Sequence, residues 1–239
     1  MDLSPLADKV FLTMNLKSAF TCVLCAVVVF AAVLGWAQSS TPPATAAELE
    51  TVYNQVLDRR VDAILQRLAL TNTSTADRVR NTLLLQYRTL RVRDEAMDAS
   101  LKAQGKDPTE LAARAELRVR LSKPLREWFV SVLALDLSPV QIESVKDAMT
   151  YDKVKFTFDA YCRILPNLTD AEKAMILVLL KLARDEAIDG GSAPEKSAIF
   201  QTYKDQINTY LDANGHNVAQ ANKDWEAKQA AKAQVATGK

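Results

Sequence analysis

The sequence predicts an all-α protein, a single-domain helical bundle of about six to seven helices around a buried central helix at about 170–188. Three observations carry that expectation. Apolar residues recur at three-and-four spacing along most of the chain, capping signals open successive segments, and no run reads as a strand with a partner elsewhere. With 49% hydrophobic and 25% charged residues, the 239-residue chain can bury a sizeable core, and one domain is the natural expectation. A net charge of +1 creates no field for a polyanion, so nucleic acid is not an expected partner.

Residues 1–37 read as an export signal, with Lys17 ahead of an apolar run from Ala19 to Leu34 and small residues at both ends of Gly35-Trp36-Ala37 for cleavage before Gln38. Met14 would open a compact charged start, MNLKSAF, and is the expected initiator. Cleavage would leave no stable membrane anchor and an exported chain, periplasmic or extracellular. A retained anchor is the alternative, because the run is not far short of a span. Cys22 and Cys25 fall inside that run, so the mature chain keeps only Cys162, which excludes an intrachain disulfide and reads as a small buried hydrophobe. Residues 38–45, QSSTPPAT, form a linker to one all-α domain over 46–215; residues 216–239 read as a polar Ala/Lys-rich tail that frays.

Within that domain, Leu49, Val52, Tyr53, Val56, Leu57, Val61, Ile64, Leu65 and Leu68 give the first amphipathic helix, from Ala46 to Leu70. Asn72 to Ser74 break it. Thr75 caps a second helix to about Ala103, with Val79, Leu83, Tyr87, Leu90, Asp94 and Met97 inward and Arg78, Arg80, Arg88, Arg91 and Arg93 on a solvated face. Gly105 closes it, Asp107-Pro108 opens the next, and Pro124 kinks or ends that one. Leu125, Trp128, Phe129, Val132 and Leu133 make the following stripe, with Trp128 as the expected anchor.

Ser138 with Gln141 is a capping box for a short helix through Ile142, Val145 and Met149. Tyr151 to Leu165 fits either period at first; Thr157 onward reads as helix, and Asp152 to Phe156 as an extended or helical connector. Thr169 with Glu172 is a second box, and the run from Ala174 to Leu182 is apolar on nearly every side, which asks for burial. Gly190 and Gly191 are read as its left-handed stop. The last helix runs from about Pro194 to Ala213 with Ile199, Phe200, Tyr203, Ile207, Tyr210 and Leu211 inward, ahead of a stop at Asn214-Gly215.

No catalytic, nucleotide or metal motif is present, no cofactor is expected, and the lone His216, read as an exposed turn histidine, excludes a histidine-based zinc site. Candidate chemistry therefore rests on polar clusters. Asp185 and Asp189 lie four apart at the carboxyl end of the central helix, where the dipole disfavours anions, so either local pairing with Lys181, Arg184 or Lys196 or a polar pocket at the helix end is expected to offset them. Lys146, Asp147 and Tyr151 form a second cluster, and Lys196, Tyr203, Lys204, Asn208 and Tyr210 a third. Tyrosines seven apart, such as Tyr203 and Tyr210, also suit a core that keeps their hydroxyls wet.

The blocks VKDAMTY (Val145 to Tyr151), TFDAYCRILPNLTDAEK (Thr157 to Lys173), ARDEAIDGGS (Ala183 to Ser192) and YKDQINTYL (Tyr203 to Leu211) resemble the secreted bacterial family catalogued as domain of unknown function 3826. The resemblance extends to YNQVLDRRVDAILQRLAL and VRNTLLLQYRTL in the first half. It implies sugar binding in secreted polysaccharide-utilisation systems, with carbohydrate as the expected partner. The shared ligand-binding surface it implies comprises Lys146, Asp147, Tyr151, Arg184, Asp189, Lys196, Tyr203, Lys204, Asn208 and Tyr210. The chain departs from the family pattern at Ser197, in place of a His, and at Asp205-Gln206, in place of Gly-Arg.

Three functions follow as expectations: an exported, non-catalytic carbohydrate-binding protein; a periplasmic chaperone-like or scaffold protein, for which the LSPVQ start at Leu137 is the cue; and a carbohydrate-active enzyme using Asp147, Asp185 or Asp189. Convergence is the discriminator: if Asp147, Arg184, Asp189 and Lys204 meet in one concavity with a tyrosine wall, binding or catalysis gains, and if they scatter, the structural reading wins. A binding site is expected where the ends of the central and final helices would bring Arg184, Asp189, Lys204 and Asn208 together beside Tyr151 or Tyr203.

Overall fold

A computed structural model of the protein describes residues 45–104 and 108–237. The export-signal reading, most of the linker, the Gly105 stop and the Asp107 cap lie outside these. The described residues hold eight helices: α1 (Ala46–Leu68), α2 (Thr73–Gln104), α3 (Pro108–Leu133), α4 (Pro139–Met149), α5 (Lys153–Ile164), α6 (Asp170–Ala187), α7 (Ala193–Ala213) and α8 (Val218–Thr237). They contain no strand, and none is long and apolar enough to cross a membrane.

Local chemistry sets most of the starts. Thr45, Ser138 and Thr169 each accept from the backbone N–H three residues on, while Glu48, Gln141 and Glu172 reach back to the cap. Asn72 Oδ1, rather than Thr75, caps α2 by accepting from Thr75 N at 3.0 Å. Pro124 does not end α3, which runs through it to Leu133. The ambiguous stretch resolves as helix from Lys153, entered through Tyr151 and Asp152, both left-handed at φ 57° and 53°. Residues 218–237 form α8, and Val218 is buried against the second core.

Two apolar cores result. The first joins α1 to α4 through Val61, Ile64, Leu83, Phe129, Leu133, Val145 and Met149; the second joins α5 to α8 through Tyr161, Ile176, Leu180, Phe200, Ile207 and Leu211. Ile188, just past α6, packs into the first core, and α4 touches α6, so the end of the central helix is where the halves join. Phe129, fully buried, is the anchor on α3; Trp128 is 43% exposed because it lies one position round the helix.

The central helix packs on α5 and α7 but is not covered all round. Ile176, Leu180, Ala183 and Ala187 face inward, while Met175, Val178 and Leu182 stay exposed. Its end also differs from expectation. Of the described glycines only Gly215 has positive φ, so Gly190 and Gly191 are no left-handed stop. They are required by space: a Cβ on Gly190 would lie 2.9 Å from Lys196 Cγ, and one on Gly191 would lie 1.6 Å from Asp94 Oδ2.

Candidate functional site

A seam of charge separates the two cores at the carboxyl end of α6, where unpaired carbonyls present the negative end of the helix dipole. Cations from three helices meet it. Arg93 of α2 donates to Asp189 O at 2.7 Å, Arg126 of α3 donates to Asp185 O at 3.0 Å, and Lys196 of α7 donates to Ala187 O at 2.8 Å. Arg126 also pairs with the Asp189 carboxylate at 2.7 Å. These long-range cations do the capping that the glycines were expected to do.

Asp189 is buried, and its Oδ1 has no hydrogen-bond partner among the described residues. Burial pushes its carboxyl up to about 7 against the pull of Arg126, Arg93 and Lys196. Burial likewise brings the Lys196 ammonium down to about 8, with Glu195 and Asp189 resisting. On the other side of α6, Arg184 is buried and donates to Asp147, Glu143 and Asp185, while Lys146 bridges Glu143 and Asp185. Burial opposes the Arg184 charge, but the bonds to Asp147 and Glu143 outweigh it and hold its pKa above the ordinary guanidinium value.

The anticipated surface is thus divided. Lys146, Asp147, Arg184, Asp189 and Lys196 belong to the seam. Lys204 and Asn208 lie two and three turns further along α7 than Lys196, about 12 and 18 Å at 1.5 Å per residue, and do not join it. They line a separate recess of about 340 Å³ with Phe156, Thr157, Tyr161 and Asn222, where the Tyr161 hydroxyl donates to Asn208 Oδ1 at 2.7 Å. Tyr203 donates to Glu186 at 2.8 Å; burial, then that carboxylate, lifts its phenol to about 12. Tyr210 is half-buried against the second core, and Tyr151 sits on the left-handed turn, exposed. His216, expected free, pairs with Glu172 at 2.9 Å.

A larger concavity opens beside the seam. It has a volume of about 560 Å³ and is walled by Tyr53, Leu57 and Arg60 of α1, by Tyr87, Leu90, Arg91, Asp94 and Glu95 of α2, by Arg118 of α3, and by Gly191, Ser192 and Glu195 at the start of α7. Arg118 pairs with both Asp94 and Glu195; Arg91 pairs with Glu50 and Glu95 and lies 4.0 Å over the Tyr53 ring. Tyr87 lines the wall beneath, its phenol raised to about 12 by burial.

The sequence reading put Tyr87 and Asp94 on the inward stripe of α2; Tyr87 does pack against the first core while also lining the cleft, and the structure buries Gln86 and Arg93 beside them. Positions 86 and 87, and 93 and 94, both satisfy helical spacing, and apolar preference selected the tyrosine. Arg93, assigned to solvent, is 8% exposed. Tyr87 and Asp94 both line the cleft. The usable signal was the polar interruption of a core stripe at Gln86 and Arg93, between and beyond Leu83 and Leu90. Among the described residues no group of His, Cys, Asp or Glu is arranged to hold a metal ion.

A family model described as protein of unknown function (DUF3826) matches residues 54–231, which span α1 to α8. No curated protein matches the sequence.

Proposed function

Because the chain belongs to the DUF3826 family, whose description leaves the activity open, we propose from the cleft itself that it is an exported bacterial protein that binds carbohydrate without transforming it. The observation that carries this is the cleft between α1, α2, α3 and α7. It is large enough for a small saccharide, has tyrosine rings in its wall, and presents fixed charged groups at its rim. Rings suit the apolar faces of sugars, and carboxylates and guanidiniums suit their hydroxyls. Of the cleft carboxylates, Asp94, Glu95 and Glu195 are engaged by arginines and Asp98 stands at the rim; Asp147, Asp185 and Asp189 of the seam are engaged too, which favours recognition over acid-base chemistry. The apolar run and cleavage pattern before Gln38 support export.

Calorimetric titration of the chain with a panel of neutral and acidic oligosaccharides tests the reading. We expect saturable binding of at least one class, lost in Tyr53→Ala with Tyr87→Ala. A panel with no binder would overturn it. A scaffold role is the second reading, favoured by Met175, Val178 and Leu182 lying exposed at successive turns of α6. It predicts that Val178→Glu changes self-association in sedimentation and leaves any glycan binding untouched.

A further inference from the structure

Three of the side chains that wall the cleft are cations, and two of them are already neutralised. Arg91 is held by Glu50 and Glu95, and Arg118 by Asp94 and Glu195. Arg60 differs: it is half-buried, shares one face of α1 with Tyr53 and Leu57, and has no hydrogen bond or ion pair among the described residues. Its sequence neighbours point elsewhere, since Asp58 pairs with Arg80 and Arg59 bonds its own helix at Gln55 O. Lys196 is close enough to feel the Arg60 charge. A guanidinium partly withdrawn from water, with no carboxylate of its own, is an open fork for an anion.

We infer that Arg60 makes the cleft selective for acidic sugars, with its guanidinium pairing with the carboxylate of a uronic acid whose ring lies against the Tyr53 and Tyr87 wall. This rests on the carbohydrate reading above and adds the ligand's charge. The remaining cleft carboxylates do not oppose it strongly, because Asp94, Glu95 and Glu195 are turned onto Arg91 and Arg118, and Asp98 stands exposed at the rim. Guanidinium geometry matters here. A lysine would supply the charge without the planar pair of donors.

The test is calorimetric titration of wild type, Arg60→Gln and Arg60→Lys with tetragalacturonate and with its fully methyl-esterified form, with thermal melts to establish that each variant is folded. Wild type is expected to prefer the acid by at least about tenfold, since a hydrogen bond to a charged group is lost in the ester. Arg60→Gln should erase that preference at an unchanged melting temperature, and Arg60→Lys should retain part of it. Equal affinity of wild type for acid and ester, or a preference that survives Arg60→Gln, overturns the acidic subsite and leaves carbohydrate binding standing. Binding of a neutral glycan without any binding of tetragalacturonate does the same. Failure of every glycan, neutral or acidic, overturns both.

Discussion

At the scale of single residues, the two glycines after α6 illustrate how one composition signal has two physical meanings. A Gly-Gly pair after a helix reads as a left-handed cap, yet neither residue has positive φ here. What Gly191 provides is the absence of a Cβ against Asp94, which itself is held by Arg93 and Arg118. Gly191→Ala should therefore destabilise the fold by about 1 to 3 kcal/mol through overpacking. Asp94→Ala in the same chain should recover much of that loss. Urea melts of the two single variants and the double variant measure it, and a double variant as unstable as the sum of the singles would refute the contact.

At the scale of elements, α6 shows that an apolar run does not by itself state which face is buried. Eight apolar residues between Ala174 and Leu182 leave no hydrophobic minimum, so spacing cannot orient the helix. Its neighbours orient it: α5 and α7 cover Ile176, Leu180 and Ala183, while Val178 and Leu182 remain about half exposed. Leu180→Ala is expected to cost about 2 to 5 kcal/mol by leaving a cavity, whereas Leu182→Ala should stay within roughly 0.5 kcal/mol. Thermal or urea unfolding of the pair decides it, and equal losses would mean that the exposed face is covered in solution. Leu179, partly buried, should fall between them.

On the scale of the whole molecule, the two cores meet across the charged seam, so the protonation of one seam residue bears on the stability of the whole. Asp189 titrates at about 7 in the folded chain, above its ordinary 3.8, because burial penalises the carboxylate more than Arg126 and Arg93 reward it. An acid with a raised folded pKa contributes stability that is complete below the unfolded value and is lost as pH rises through the folded one. Between pH 4 and pH 7, wild type should thus lose stability relative to Asp189→Asn, and the gap should level off above pH 7. Lys196 moves in another window: its folded pKa is depressed to about 8, so its contribution is complete above 10.5 and is lost as pH falls through 8. Urea midpoints of wild type and Asp189→Asn at intervals from pH 4 to 8 give the slope, and a wild type that gains stability relative to Asp189→Asn as pH rises would contradict the seam electrostatics.

What the amino-acid sequence determined by itself is what neighbours along the chain can settle. Ser138 and Thr169 mark helix starts because a cap is satisfied within one turn, and the all-α class follows from three-and-four spacing that needs no partner to be read. The charge conflict at Asp185 and Asp189 was legible for the same reason, since a helix dipole is a local property. Tertiary structure added the partners that the chain's own neighbours do not supply. Arg93 and Arg126 come from helices at least 59 residues away from Asp189 and Asp185, a separation over which no periodicity carries information about pairing. It also decided that Gln86 is buried beside the half-buried Tyr87, and that Tyr53, Arg60, Arg118 and Glu195 share one cleft. Those four residues come from three helices drawn from both cores, α1 and α3 from the first and α7 from the second.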